Sequence, residues 1–385
     1  MPFTKFSNLD FDQIKSSIKD YLRANSDFTD FDFEGSNFSV LIDTLAYNTY
    51  ITAVNSNLVV NESFLDSATV RENVVSLARN IGYVPRSKTS AQASVSIPID
   101  NLTTTSSSII LKAGLVCTGN QNNTSYSFSI PDDIERFITI VDKETNNVKV
   151  TFGTDSEPIT LYQGNYLNKR FIVDGSLDQR FILDNPNIDT STIVVYVKEP
   201  LSQSKGTLYT KVDNITNIDK DSRIYLIQEV QDEKYELLFG DGIFGKKLED
   251  GQEVSISYIV TDGKDGNGIG GKVGSSGIFS FSGALETPGG IDIEIGSSPV
   301  VKTINPASNG GEIESINSIK YFAPRLYSSQ YRAVTSRDYE SIIHSIYPNT
   351  ESVSVVGGEE VDPPQYGTVF ITIKPKNGEF VSDFD

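Results

Sequence analysis

Apolar positions along this chain change their period, and the changes divide it into helical and strand-forming stretches. Between Phe11 and Arg23, the residues Phe11, Ile14, Ile18, Tyr21 and Leu22 recur at helical spacing and form one stripe, with Asp10 placed to cap it. A connector follows, NSDFTDFDFEG, in which Phe28, Phe31 and Phe33 alternate with acidic residues. It reads as an acidic linker whose aromatics anchor by burial. Asp30, Asp32, Glu34 and Gly35 resemble the first half of a calcium loop. The closing carboxylate would fall at Leu41, which cannot ligate, and this argues against calcium.

The next stretch, FEGSNFSVLIDTLAYNTYITAVNSNLVVNESFL, predicts a helix starting near Ser36 with apolar residues on two sides. At about 100° per residue, Phe38, Leu41, Ile42 and Leu45 fall on one side, and Val40, Tyr47, Tyr50, Ile51, Val54 and Leu58 gather on the other. Such a helix has neighbours on two sides. A following helix over about Asn61 to Ile81, carrying Phe64, Ala68, Val70, Val74, Val75, Leu77, Ala78 and Ile81, can cover one of them.

From about Ser90 the period falls to two. Short runs such as ASVSIPI, RFITIV, NVKVTFG, TIVVYVKE, RIYLIQEV and EVSISYIV are separated by Asn, Asp, Gly and Pro turns, which predicts mostly antiparallel strands to about Val300. The stretch is too long for one small sandwich, so an insertion or a second β unit is expected. Helical spacing returns in GGEIESINSIKYF, expected to stop at Pro324, and in TSRDYESIIHSIY, where Thr335 and Asp338 fit a capping box. In the latter, Tyr339, Ile342, Ile343, Ile346 and Tyr347 share a face. Two further strands are expected in ESVSVVGG and GTVFITIKP. Ser382 then reads as the N-cap of a helix start, as in a β-α unit cut short.

The expected fold is α+β: a helical segment over 1–88, a large mostly antiparallel β region over 89–300 of one or two units, a helical segment over 301–350, and the start of an α/β domain over 351–385. At 385 residues the chain is long enough for two or three compact units.

Composition narrows the function. The formal charge is −19, from 51 acidic and 32 basic residues, with no basic run to concentrate a positive field. That disfavours nucleic acid or an anionic membrane as a partner. One cysteine, Cys117, excludes an internal disulfide framework. With the single His344 it cannot make a Cys₂His₂-type zinc site. Cys117 follows Leu115 and Val116 in a strand-like run and reads as a small buried hydrophobe. His344 lies off the apolar stripe of its helix and reads as solvated or interfacial. No catalytic constellation, cofactor motif or metal set emerges. Gly266, Gly268 and Gly271 match G-x-G-x-x-G, but no helical pattern follows to hold a pyrophosphate. LFGDGIFGKK reads as a turn with Asp241 and Gly242 at its tip, not a P-loop.

Three blocks together carry a resemblance. They are FEGSNFSVLIDTLAYNTY with NESFLDSATVRENVVSLARNIGYVPRS, LFGDGIFGKKLEDGQEVSISYIVTDGKDGNGIG, and NGGEIESINSIKYFAPRLYSSQYRAVTSRDYESIIHSIYPNTESVSVVGGEE. In that order they resemble the baseplate wedge proteins of contractile-tailed, T-even-type bacteriophages, related to the baseplate J-like family. The resemblance spans about Asn8 to Gly378 and is weakest over about Asn101 to Lys220. It implies a non-enzymatic structural protein of the virion tail baseplate, assembled in the bacterial host cytoplasm. Two copies per wedge would bind another wedge protein through a helix bundle. Six wedges would surround the hub and tube, touch the components that start the sheath, and move as units on contraction.

On that resemblance, Phe38, Leu41, Leu45, Tyr47, Tyr50, Ile51, Val54, Leu58 and Phe64, with Arg332, Asp338 and Tyr339, are the expected interface residues. An entirely intramolecular bundle is the alternative for the helix. The alternative for the protein is a β-rich tail adhesin or glycan-acting tailspike, which would show a carboxylate pair in a cleft.

Overall fold

The computed structural model describes residues 10–24, 37–104, 106–121, 123–142, 147–176, 179–202, 204–212, 218–330, 332–347 and 350–375. Ser36, Ser382 and the connector with Phe28, Phe31 and Phe33 lie outside the described residues. Two compact units divide the chain: Met1–Tyr83 with Ile316–Tyr327, and Val84–Ser315 with Ser328–Asp385.

The first unit contains α1 (Phe11–Ala24), α2 (Asn37–Glu62), α3 (Arg71–Asn80) and most of α4 (Ile316–Ser329). Asp10 caps α1 as expected, its Oδ1 accepting from the amides of Asp12 (3.0 Å) and Gln13 (3.2 Å). The helix expected from Asn61 to Ile81 is instead a turn followed by the short α3. Glu62 explains the break. Its carboxylate accepts from the Thr69 amide (2.7 Å) and hydroxyl (2.6 Å), the Val70 amide (3.3 Å) and the Asn73 side chain (2.8 Å). The last residue of α2 thereby caps α3, whose own N-cap, Val70, has no side-chain acceptor. Burial raises this carboxyl, but the four bonds, led by Thr69, outweigh it and hold it down to about 2.

Pro324 does not end α4, contrary to expectation. The helix runs through it because Ile319, Ala323 and Leu326 are buried on one side, and burial of that stripe outweighs the lost backbone bond. On the outer side Arg325 lies over the Tyr321 ring, 3.5 Å from its centroid.

The second unit is built on strands. The first run comprises β1 (Gln92–Thr103), β2 (Ser108–Leu111), β3 (Gly114–Gln121), β4 (Thr124–Ile130), β5 (Ile134–Phe137), β6 (Thr139–Asp142), β7 (Asn147–Phe152) and β8 (Ile159–Gln163). The second comprises β9 (Asn165–Ile172), β10 (Phe181–Leu183), β11 (Ile188–Lys198), β12 (Thr207–Lys211), β13 (Ile224–Glu229), β14 (Tyr235–Phe239) and β15 (Glu253–Val260). Then come β16 (Ser276–Phe281), β17 (Leu285–Glu286), β18 (Asp292–Ile293) and β19 (Val300–Ser308), and finally β20 (Thr350–Gly357) and β21 (Val369–Pro375).

A closed barrel forms in the order β19-β16-β3-β4-β8-β1, because the long β1 pairs through its first half with both β8 and β19. Its second half pairs with β7, which continues to β6, and β18-β17-β2-β5 make a small side sheet. Ile97, Leu111, Phe128, Phe152, Leu161 and Phe279 are among its core, with Phe128 and Phe279 edge-on at 4.9 Å.

The second barrel takes the order β10-β14-β13-β12-β11-β15-β9, antiparallel except for the β12–β13 pair. Its ends meet where Lys169 Nζ donates to the Ile182 carbonyl (3.0 Å) and Phe171 meets Phe181 at 5.5 Å. Val195, Tyr235, Leu237, Val254 and Ile256 fill it.

Strands do not stop at Val300, and the stretch expected to be helical from 301 opens with β19. Val301, Thr303 and Ala307 point inward at strand spacing, a signal obscured by Asn305 and Pro306. Helix resumes at Ile316. In α5 (Ser336–Ile346) the Thr335–Asp338 capping box is present, and the helix packs on the β20–β21 hairpin. The Gly-rich segment leads into β16, not into a helix, and Ile269 within it is buried in the first core.

Candidate interaction surface

With 26 residues, α2 is about 39 Å long. Its buried line is Ser39, Ile42, Ala46, Asn57 and Asn61, mostly small or polar residues. The two apolar sides read from the sequence flank this line and carry most of the exposed side chains. Neither is the deeply buried face as such.

On one flank, Val40, Thr44, Tyr47, Ile51, Val54 and Leu58 are spaced alternately by four and three residues, the seam of a coiled coil. Val40 (63%), Tyr47 (60%) and Leu58 (46%) are widely exposed, Ile51 is exposed, and Val54 is half-buried. Tyr50, beside Val54, is half-buried; on the other flank Leu41, Leu45 and Val59 are exposed, while Phe38 is half-buried. Phe64 is exposed in the turn after the helix.

Two features make this surface easy to dehydrate. The charged residues of α2 are Asp43, paired with Lys15 at 2.5 Å, and Glu62, engaged as the α3 cap. The interleaved hydroxyls also bond back within the helix: Thr44 to Val40, Thr49 to Leu45, Thr52 to Asn48 and Ser56 to Thr52, all at 2.8–2.9 Å to carbonyl oxygens. A partner covering the seam would meet few unsatisfied polar groups.

The other expected interface residues belong to the second unit. Asp338 serves its own helix, where its Oδ2 accepts from the Thr335 amide at 2.8 Å, and the Thr335 and Val334 bonds hold its carboxyl below the usual range. Arg332 is exposed, with its guanidinium on Gln330 (2.6 Å), and Tyr339 is half-buried. Val40 and Val59 are exposed on α2 beside the expected interface residues. Helical position already groups Val40 with Tyr47 on one side of the helix.

Cys117 is buried and its thiol is pushed up to about 12 by burial, which removes it as a nucleophile near neutral pH. Among the described residues, no group of three or more His, Cys, Asp and Glu side chains is placed to hold a metal ion, and no helix is long and apolar enough to cross a membrane. The FGDGIFG turn is held by Asp241, whose carboxylate accepts from the amides of Ile243 and Phe244 (both 2.8 Å).

These features describe a modular α+β protein, with two barrels and a helical unit, whose most distinctive surface is a helix face. Comparison with known proteins gives the particular kind. The family model for "Baseplate wedge protein gp6-like, helical domain" matches residues 10–83, and that for "Baseplate structural protein gp6, C-terminal domain I" matches residues 335–385. Baseplate wedge protein gp6 of Enterobacteria phage T4 is 27% identical over 390 residues, covering 97% of this chain and 54% of the relative. The chain thus spans about half the length of that curated relative. In these segments and along most of its length the chain is similar to baseplate wedge proteins of phages, the resemblance that the sequence blocks carry. A chain from a cryo-EM structure of the anti-feeding prophage (AFP) baseplate, 6-fold symmetrised, aligns over 89% of this chain and 57% of its own length, with 11% identity and a TM-score of 0.26. That likeness is too slight to carry an argument.

Proposed function

We propose that this chain is a structural, non-enzymatic subunit of a phage tail baseplate wedge. It acts in the virion by docking the open flank of α2 against helices of a second copy and of other wedge proteins. The observation that carries the reading is the uncharged seam of Val40, Tyr47, Ile51 and Leu58, exposed, with Val54 half-buried among them, on a helix within the segment that matches the gp6-like helical domain. Burying a side chain of this size contributes about 1.5–3 kcal/mol, against about 0–1 kcal/mol for an exposed ion pair. The apolar seam therefore dominates affinity, and association persists in moderate salt despite the chain's −19 charge. In the assembled ring the wedges lie around the hub and tube, contact the sheath-initiating proteins, and move as bodies when the ring widens on contraction.

The test is Tyr47→Asp with Leu58→Asp. Both positions are exposed, so the variant keeps its circular dichroism and melting midpoint while losing copurification with an untagged second copy and with wedge proteins. Unchanged association would sink the assignment of this flank. Quantitative mass spectrometry of tailed particles then reads copy number, expected as a small multiple of six. Absence from the particle would remove the baseplate role itself.

A further inference from the structure

The second barrel is an insertion in the first: the chain leaves after β8, through Gln163 and Gly164, and returns after β15, through Thr261, Asp262 and Gly263. The two crossings are adjacent and fastened to each other. Gln163, buried, accepts at Oε1 from the Thr261 hydroxyl (2.9 Å) and the Asp262 amide (3.1 Å), and its Nε2 donates to Asp262 Oδ2 (2.8 Å). Asp189, also buried, accepts from the Ser90 amide at 2.7 Å beside them. Both crossings contain a glycine at positive φ, +138° at Gly164 and +71° at Gly263, where a Cβ would lie 2.4 Å from the Val260 carbonyl oxygen and 2.6 Å from Lys88 Cε. The crossing is a pinned point.

The barrels are also joined by side chains further along β11. Tyr196 pairs with Ser255 and Ser255 with Arg170, which places Tyr196 about 20 Å up the sheet from Gly164. There the Tyr196 hydroxyl donates to Asp132 Oδ2 (2.6 Å), and Lys205 Nζ contacts Asp132 Oδ1 (2.5 Å) and Asp133 Oδ2 (2.9 Å). Lys205 also lies 4.7 Å from the Tyr196 ring centroid. Asp132 and Asp133 follow β4 in the first barrel, whereas Tyr196 and Lys205 belong to β11 and its following loop in the second. Partial burial alone would lower the Lys205 ammonium pKa, yet the two carboxylates push it up.

Between the two stations β9 lies along β3 and β4, with the Tyr166 ring against Gly114, and the contacting side of β9 and β15 carries polar side chains bonded to one another. The Tyr166 hydroxyl meets Ser257 Oγ (2.8 Å), and Asn168 Nδ2 donates to the hydroxyls of Ser255 and Ser257 (both 2.9 Å). The two apolar cores share no residue. Interfaces of this polar kind between inserted bodies permit relative motion, and partly exposed ion pairs hold them weakly.

We propose that the second barrel swings on the first about Gly164 and Gly263, and that Lys205, gripping Asp132 and Asp133 with Tyr196, is the latch that holds it closed. The device goes beyond the baseplate reading and stands whether or not the chain joins a wedge.

The experiment is a distance measurement by paired spin labels on the full chain. Labels go at Ser125→Cys in the first barrel and Asp221→Cys in the second, both exposed, while the native Cys117 is buried and stays unlabelled. The unaltered latch gives one distance population. Lys205→Ala adds a second, displaced population, Lys205→Arg does not, and raising the salt concentration on the unaltered chain reproduces the alanine effect. A distribution unmoved by both Lys205→Ala and salt, with melting preserved, overturns the proposal. Should Lys205→Ala fail to fold, the salt series on the unaltered chain decides alone.

Discussion

Glu62 ends one helix and begins another, and a single carboxylate engaging four donors makes that junction sensitive to both mutation and pH. Glu62→Ala is expected to cost about 1–2 kcal/mol, as read from the urea midpoint, because it removes a cap and leaves the Thr69 and Val70 amides unsatisfied. The pH dependence follows from the direction of the shift. The folded carboxyl titrates near 2 and the ordinary value is 4.5, so the contribution is complete above about 4.5 and is lost as pH falls toward 2. Glu62→Gln should flatten that part of the acid-unfolding curve; an unchanged curve would show that the cap contributes nothing. Sequence reading placed Glu62 inside a continuing apolar pattern and missed this role, because its partners Thr69, Val70 and Asn73 are brought to it only by the turn. Asp10 and the Thr335–Asp338 box were legible because a local cap needs only its own first turn.

Among elements, α4 sets a general rule about proline against a particular packing. Pro324 provides no N–H for the Lys320 carbonyl, a helix-interior loss of about 3 kcal/mol, offset in the unfolded chain by about 0.4–1 kcal/mol of restricted entropy. Pro324→Ala is therefore expected to stabilise the first unit by about 2 kcal/mol, seen as a raised unfolding midpoint. A lowered midpoint would mean the ring itself fills space that alanine leaves empty. The α2 helix was legible as apolar on two sides, but that both are largely exposed was not, because exposure depends on which elements pack against them. Its buried line was not legible either, since Ser39, Ala46, Asn57 and Asn61 carry little hydrophobic signal; Asn61 Nδ2 donates back to the Asn57 carbonyl (2.7 Å). For β19, Asn305 and Pro306 interrupted a short alternation, and pairing with β1 restored the strand.

For the whole molecule, separate cores predict separate melting. Scanning calorimetry is expected to resolve more than one transition, with Phe152→Ala lowering one and Leu237→Ala another, each by the large cost of an aromatic or leucine truncation in a core, about 2–5 kcal/mol. A single transition shifted equally by both would contradict that independence. The sequence by itself determined the α+β class, the β region's alternation, the absence of a basic run, the two-sided α2 and the family blocks, because each of these depends on local period, charge or an ordered set of short motifs. It also raised the possibility of an inserted β unit. Only the tertiary structure decided that β1 closes a barrel by pairing with β8 and β19 at once, that the second barrel sits between β8 and β16, and that Lys205 reaches Asp132 and Asp133. Those contacts join residues far apart in the chain, and no spacing within a short window encodes which strand a given strand will find.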